Sequence, residues 1–211
     1  MKIYRIGMYE NPTTDKILSM PDIRYANFSA LGKWVQQKKP CTTCGWHWQD
    51  YGPPLLIEWD NPRKTIGDFS WDGPFGYLFV VKEHVSKALR EMEFPCSFYK
   101  TKTTHKKSKT KNNFQEKNDL LLSYPNSFID LDLSLSNVTP ISYCKFCGHS
   151  RFTFRNNGII IRKEHWSGQR MFRINTNGNS FATFVTEEGR FLIQNLEFSN
   201  ITLSEAGKIL I

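Results

Sequence analysis

Two short stretches of this chain repeat each other, Cys41-Thr-Thr-Cys44-Gly45 and Cys144-Lys-Phe-Cys147-Gly148. A C-x-x-C pair sets two thiolates about one turn apart, close enough to take two corners of a tetrahedron around a soft divalent ion such as Zn²⁺. Two pairs supply four corners. The glycine after each second cysteine has its own reason. The backbone must curl back so that amide N–H groups point at the sulfurs, and glycine reaches the positive φ this needs at no steric cost. Cys41, Cys44, Cys144 and Cys147 are therefore the candidate ligands of one structural Zn²⁺.

The spacing is unusual. An ordinary zinc ribbon separates its pairs by roughly 15–20 residues, whereas 99 residues lie between Cys44 and Cys144. Either a structural unit is inserted between the knuckles or they are not partners, and the insertion is the preferred reading. Redox chemistry is a rival use of C-x-x-C, with the first cysteine exposed at a helix N-terminus. Neither pair introduces a helical pattern, because Gly-Trp-His-Trp follows one and Gly-His-Ser-Arg-Phe-Thr-Phe the other. A disulfide between the knuckles would require an oxidising compartment.

With 211 residues, 39% hydrophobic and 14% aromatic, the chain can bury a core as one large or two small domains. Its first residues carry no long apolar segment followed by a cleavage site, and no apolar run approaches a membrane span. A cytoplasmic location is expected, which suits four paired cysteines with Cys96 left over. The formal charge of +8 is mostly local, since seven lysines and one acid, Glu116, lie between Lys100 and Lys117. That stretch reads as a solvated lysine-rich insert, about 100–118.

Along the chain, Lys2 to Ile6 alternates like an opening strand, and Pro54 to Trp59 reads as a short one. Tyr25, Phe28, Leu31 and Trp34 recur at three-residue intervals, compatible with a loose helical turn or an irregular packed segment. Lys82 to Met92 has a helical face of Val81, Val85, Ala88, Leu89 and Met92. Phe128 to Leu135 alternates as a half-buried strand with Asp130 and Asp132 on its solvent face. Asn156-Asn157-Gly158 signals a hairpin between Arg151–Arg155 and Ile159–Ile161. Two further strands, Met171 to Ile174 and Phe181 to Val185, flank Asn177-Gly178-Asn179. Thr186 caps a helix with Glu187 and Glu188 in its first turn, and Phe198 to Leu203 closes as a strand. The expected fold is α+β, with mixed or antiparallel sheets and a few helices held by a zinc-ribbon-like four-cysteine site. Its expected units are 1–143, with the first knuckle and the insert, and 144–211, opening with the second knuckle.

The two C-x-x-C-G motifs about a hundred residues apart resemble the bacterial double-CXXCG motif family, whose members include immunity proteins for swarming-inhibition toxins of Myxococcus. The opening Met-Lys-Ile-Tyr-Arg-Ile is similar to that family's N-terminus. So is the tail, where Glu164 to Ile174 precedes Phe184-Val185-Thr186-Glu187, a helix and Phe198-Ser-Asn200-Ile201. The lysine-rich insert has no counterpart. The resemblance implies a cytoplasmic protein that binds and blocks a cognate toxin by steric occlusion.

Nucleic-acid binding is the alternative, resting on the basic stretch, although no aromatic lies between Lys100 and Phe114 to stack on bases. An enzyme is not expected. His47 and His149 follow the knuckles and could be ligands or acid–base groups, but H-E-x-x-H, G-x-S-x-G and phosphate-cradling glycine motifs are lacking. Lys38, Lys39 and Lys145 either offset the net charge of a tetrathiolate zinc or are simply solvated. Trp46, Trp48, Trp59 and Trp71 either face a partner or pack, with packing preferred, and Cys96 is expected to be a buried apolar side chain.

Overall fold

Lys2–Gly7 forms β1, in which Ile3 points into one core while Tyr4 and Ile6 point into another. A strand whose two faces both meet apolar surroundings belongs in the middle of a sheet. In this computed structural model, which describes residues 1–7, 25–26, 28–31, 41–45, 55–59, 65–71, 79–105, 121–148, 150–154, 158–176 and 179–211, that is where β1 lies.

The described residues are mostly strand, with two α-helices. In chain order, β2 is Phe28–Leu31, β3 Leu55–Trp59, β4 Phe69–Trp71, β5 Phe79–Val81, α1 Glu83–Glu91, β6 Cys96–His105 and β7 Leu121–Pro125. They are followed by β8 Phe128–Asp130, β9 Val138–Tyr143, β10 Ser150–Phe154, β11 Ile159–Arg162, β12 Met171–Thr176, β13 Asn179–Thr186, α2 Glu187–Gln194 and β14 Thr202–Leu210.

The first sheet runs β11-β14-β1-β13-β12-β8. Its strands lie on both sides of the expected division at residue 143. It also curls toward closure. Directly after β8 at one edge, the chain reaches β11 at the other, where Asp132 N–H donates to the Ile160 carbonyl at 3.2 Å and Asn137 N–H to the Gly158 carbonyl at 2.7 Å. The Ser136 hydroxyl accepts from Ile160 N–H at 2.9 Å. A barrel-like sheet leaves little open edge for another chain to pair with. Its interior holds Ile3, Ile129, Leu131, Ile159, Ile161, Phe172, Ile174, Phe184, Ala206 and Ile209.

The pairing of β14 with the edge strand β11 requires a glycine. A Cβ on Gly207 would stand 1.9 Å from the Ile159 carbonyl oxygen, so β14 approaches β11 that closely only without a side chain there. On the outer face, Tyr4, Ile6, Met171 and Val185 meet Phe69, Trp71, Phe79 and Val81 of the second sheet, Val85 and Leu89 of α1, and Ile193 of α2. Val85 and Leu89 are fully buried, a contribution of about 1.5–3 kcal/mol each. The buried Trp71 ring packs 5.2 Å from Phe79 and donates its indole N–H to the Asn200 carbonyl at 2.9 Å.

The second sheet runs β2-β3-β6-β7-β5-β4. Its long strand β6 pairs with β7 through Cys96–Lys100 and with β3 through Thr101–His105. This corrects the expected start of the insert, because residues 100–105 are strand. Thr101, Thr103 and Thr104 are β-branched and suit a pleated ladder despite the charged Lys102 among them. Residues 106–118 of the expected insert lie outside the described residues.

Several other local expectations give way. Phe28–Leu31 is a strand rather than a helical turn or irregular segment. The strand from Phe128 stops at Asp130, and Asp132 turns inward rather than facing solvent, 8% exposed. Its carboxylate accepts from the N–H groups of Ser134 and Leu135, which bends the chain, and from Arg162 Nε. β11 does not pair with β10; it lies parallel to β14. The closing strand begins at Thr202, after a connection in which Ser199 and Asp68 bond reciprocally. The helix at Glu83–Glu91 and the Thr186 cap, whose hydroxyl accepts from Gly189 N–H at 3.2 Å, are as expected.

Candidate metal centre

The two knuckles sit in equivalent places. Cys41 to Gly45 lies in the connection between the antiparallel neighbours β2 and β3, and Cys144 to Gly148 in the connection between β9 and β10. Each is a tight turn closed by its glycine, with Gly45 N–H donating to the Cys41 carbonyl and Gly148 N–H to the Cys144 carbonyl, both at 2.8 Å. The glycine φ values are +70° and +71°. That is the left-handed conformation expected from the trailing glycine of each motif.

The knuckles meet. Cys41 Sγ lies 3.9 Å from Cys144 Sγ, Cys44 Sγ lies 3.7 Å from Cys147 Sγ, and all four sulfurs fall within 4.8 Å of one another. A tetrahedral ion with metal–sulfur bonds of about 2.3 Å would have its sulfurs about 3.8 Å apart. The four cysteines are thus close enough to hold one metal ion, and all are free thiols.

The backbone favours thiolate here. Hydrogen bonds from the N–H groups of Cys44 and then Thr43 bring the Cys41 pKa down to about 6. For Cys144 the Cys147 N–H lowers the pKa, burial opposes it, and the Phe146 N–H adds to the lowering, so the net shift is downward. In both knuckles the first cysteine receives the amides of its own turn. This is the arrangement that steadies a thiolate before any metal arrives.

Beside the second knuckle, Ile141, Tyr143 and Phe146 are 55%, 61% and 74% exposed. The motif itself carries a signal for the exposure of Phe146. When both thiolates of a C-x-x-C turn inward, the residues between them must face outward. Lys145 is exposed, and Lys38, Lys39, His47, His149, Trp46 and Trp48 lie outside the described residues. Trp59 and Trp71 are buried. Cys96 is only half-buried, its sulfur 3.1 Å from the Met171 sulfur. No described helix is long and apolar enough to cross a membrane.

Neither the comparison with protein families nor the comparison with curated proteins finds a match to this chain.

Proposed function

We propose that this chain is a zinc-stabilised protein-binding module of the double-CXXCG family, acting in the bacterial cytoplasm as an immunity protein that occludes a cognate toxin. The observation that carries the proposal is the convergence of four thiols within 4.8 Å. Four thiolates fill a tetrahedral shell, which suits a structural Zn²⁺ and leaves no open position for a substrate. The two knuckles then act as halves of a zinc-ribbon-like site, and the chain needs no catalytic group. The exposed Ile141, Tyr143 and Phe146 beside the site support contact with a protein surface, where large side chains carry most of the binding energy.

The test is co-expression with the product of a neighbouring toxin gene. Rescue of growth together with a purified stoichiometric complex is the expected result. Loss of that complex in a Tyr143→Ala/Phe146→Ala variant would place the contact at the knuckle. Intact toxicity and no complex would end the immunity proposal.

Nucleic-acid binding remains the alternative, on the strength of the lysines from Lys100 onward. Salt-sensitive retention on DNA, lost when these lysines are neutralised, would favour it.

A further inference from the structure

The four sulfurs are not equivalent. Cys144 is buried and Cys41 half-buried, whereas Cys44 and Cys147 are the more exposed residues of the group, their sulfurs 3.7 Å apart. A disulfide needs its sulfurs about 2.05 Å apart, so this pair must close by about 1.7 Å. Each of the two sits at the end of a short turn, directly before a glycine with φ near +70°.

We propose that Cys44 and Cys147 form an oxidation site, at which a hydroperoxide joins the two knuckles by a disulfide and so replaces a metal tether with a covalent one. The proposal rests on the reading of the four cysteines as one metal centre. With hydrogen peroxide as oxidant, one thiolate attacks a peroxide oxygen. An S–O bond forms, the O–O bond breaks and hydroxide leaves, giving a sulfenic acid. The second thiolate then attacks that sulfur, the S–S bond forms, the S–O bond breaks and a second hydroxide leaves, and each of the two hydroxides takes a proton from solvent to become water. Two sulfurs together lose two electrons, and one peroxide becomes two waters.

The competing product is a disulfide within a knuckle, the usual outcome for C-x-x-C. In this fold it would join one of the more exposed residues, Cys44 or Cys147, to one of the more sheltered ones, Cys41 or Cys144. The cross-knuckle link involves neither. It spans 103 residues and keeps the β9–β10 hairpin fastened to the β2–β3 connection after two ligands are lost.

The experiment uses the purified full chain with its metal content measured first. Limited hydrogen peroxide is added in the presence of a chromophoric chelator, free thiols are alkylated, and peptides are mapped without reduction. The expected result is a Cys44–Cys147 cross-link that grows in step with metal release, with Cys41 and Cys144 recovered as alkylated thiols. Cys96→Ser should leave the link unchanged and Cys44→Ser should abolish it. Disulfides confined to single knuckles would overturn the proposal, as would intact knuckle thiols at peroxide levels that oxidise Cys96. A chain that carries no metal yet forms the cross-link would support the oxidation site and contradict the metal-centre reading alone.

Discussion

Gly45 and Gly148 hold the same backbone conformation in two separate connections of the fold, with φ of +70° and +71°, and each donates its N–H to the carbonyl of the first cysteine of its own knuckle at 2.8 Å. A Cβ at either position would meet nothing within 4 Å. The cost of a side chain is therefore conformational alone, about 1–2 kcal/mol for a left-handed residue.

Gly45→Ala and Gly148→Ala should each weaken metal affinity roughly 5- to 30-fold while leaving the overall fold intact. Asparagine, which tolerates the left-handed region better, should do less harm. Competition titration against a zinc chelator measures both.

Chelation should act locally. Neither core contains a knuckle cysteine, and β9 and β10 form a two-stranded sheet of their own among the described strands. Hydrogen exchange should therefore quicken from Val138 to Phe154 when metal is removed, while β1, β13 and β14 stay protected. Equal loss of protection throughout would show that the metal holds up the whole molecule instead.

These two predictions rest on what was most legible in the sequence. A C-x-x-C-G motif encodes its own geometry within five residues, and α1 and the Thr186 cap are likewise set by near neighbours. What could not be read was pairing at long range. Asn156-Asn157-Gly158 is a good turn signal, but Ile159–Arg162 finds its partner in β14, whose Ser204-Glu205-Ala206-Gly207 has little strand character of its own. It is strand because β1 and β11 flank it. The alternation after Phe128 likewise yields to one side chain, since the Asp132 carboxylate binds the next amides and turns the chain.

Gly207→Ala should disrupt the barrel-like sheet. The Cβ would sit 1.9 Å from the Ile159 carbonyl oxygen, a backbone atom held by the parallel pairing of β11 and β14. A loss of about 3 kcal/mol or more is expected in chemical denaturation. Wild-type stability in this variant would mean that β11 does not lie against β14 as described.

Asp132 should contribute a distinct acid sensitivity. Hydrogen bonds from the Ser134 side chain and then Arg162, against opposition from burial, hold its pKa well below the usual carboxylate range. A depressed folded-state pKa gives stability that is complete above the unfolded value near 4 and is lost as pH falls toward the folded one. Asp132→Asn should therefore be less stable than the parent at pH 7. The gap between the two proteins should narrow as pH drops below about 4 in denaturation experiments. A gap that does not change with pH would assign the effect to packing.

The most direct test of the central claim is metal content by native mass spectrometry, before and after denaturation, on protein purified without added metal. One zinc per chain, with Cys41, Cys44, Cys144 and Cys147 all shielded from alkylation until the metal is chelated, is the predicted result. Cys144→Ser should lose the metal. A metal-free chain whose four knuckle thiols react freely would contradict the account.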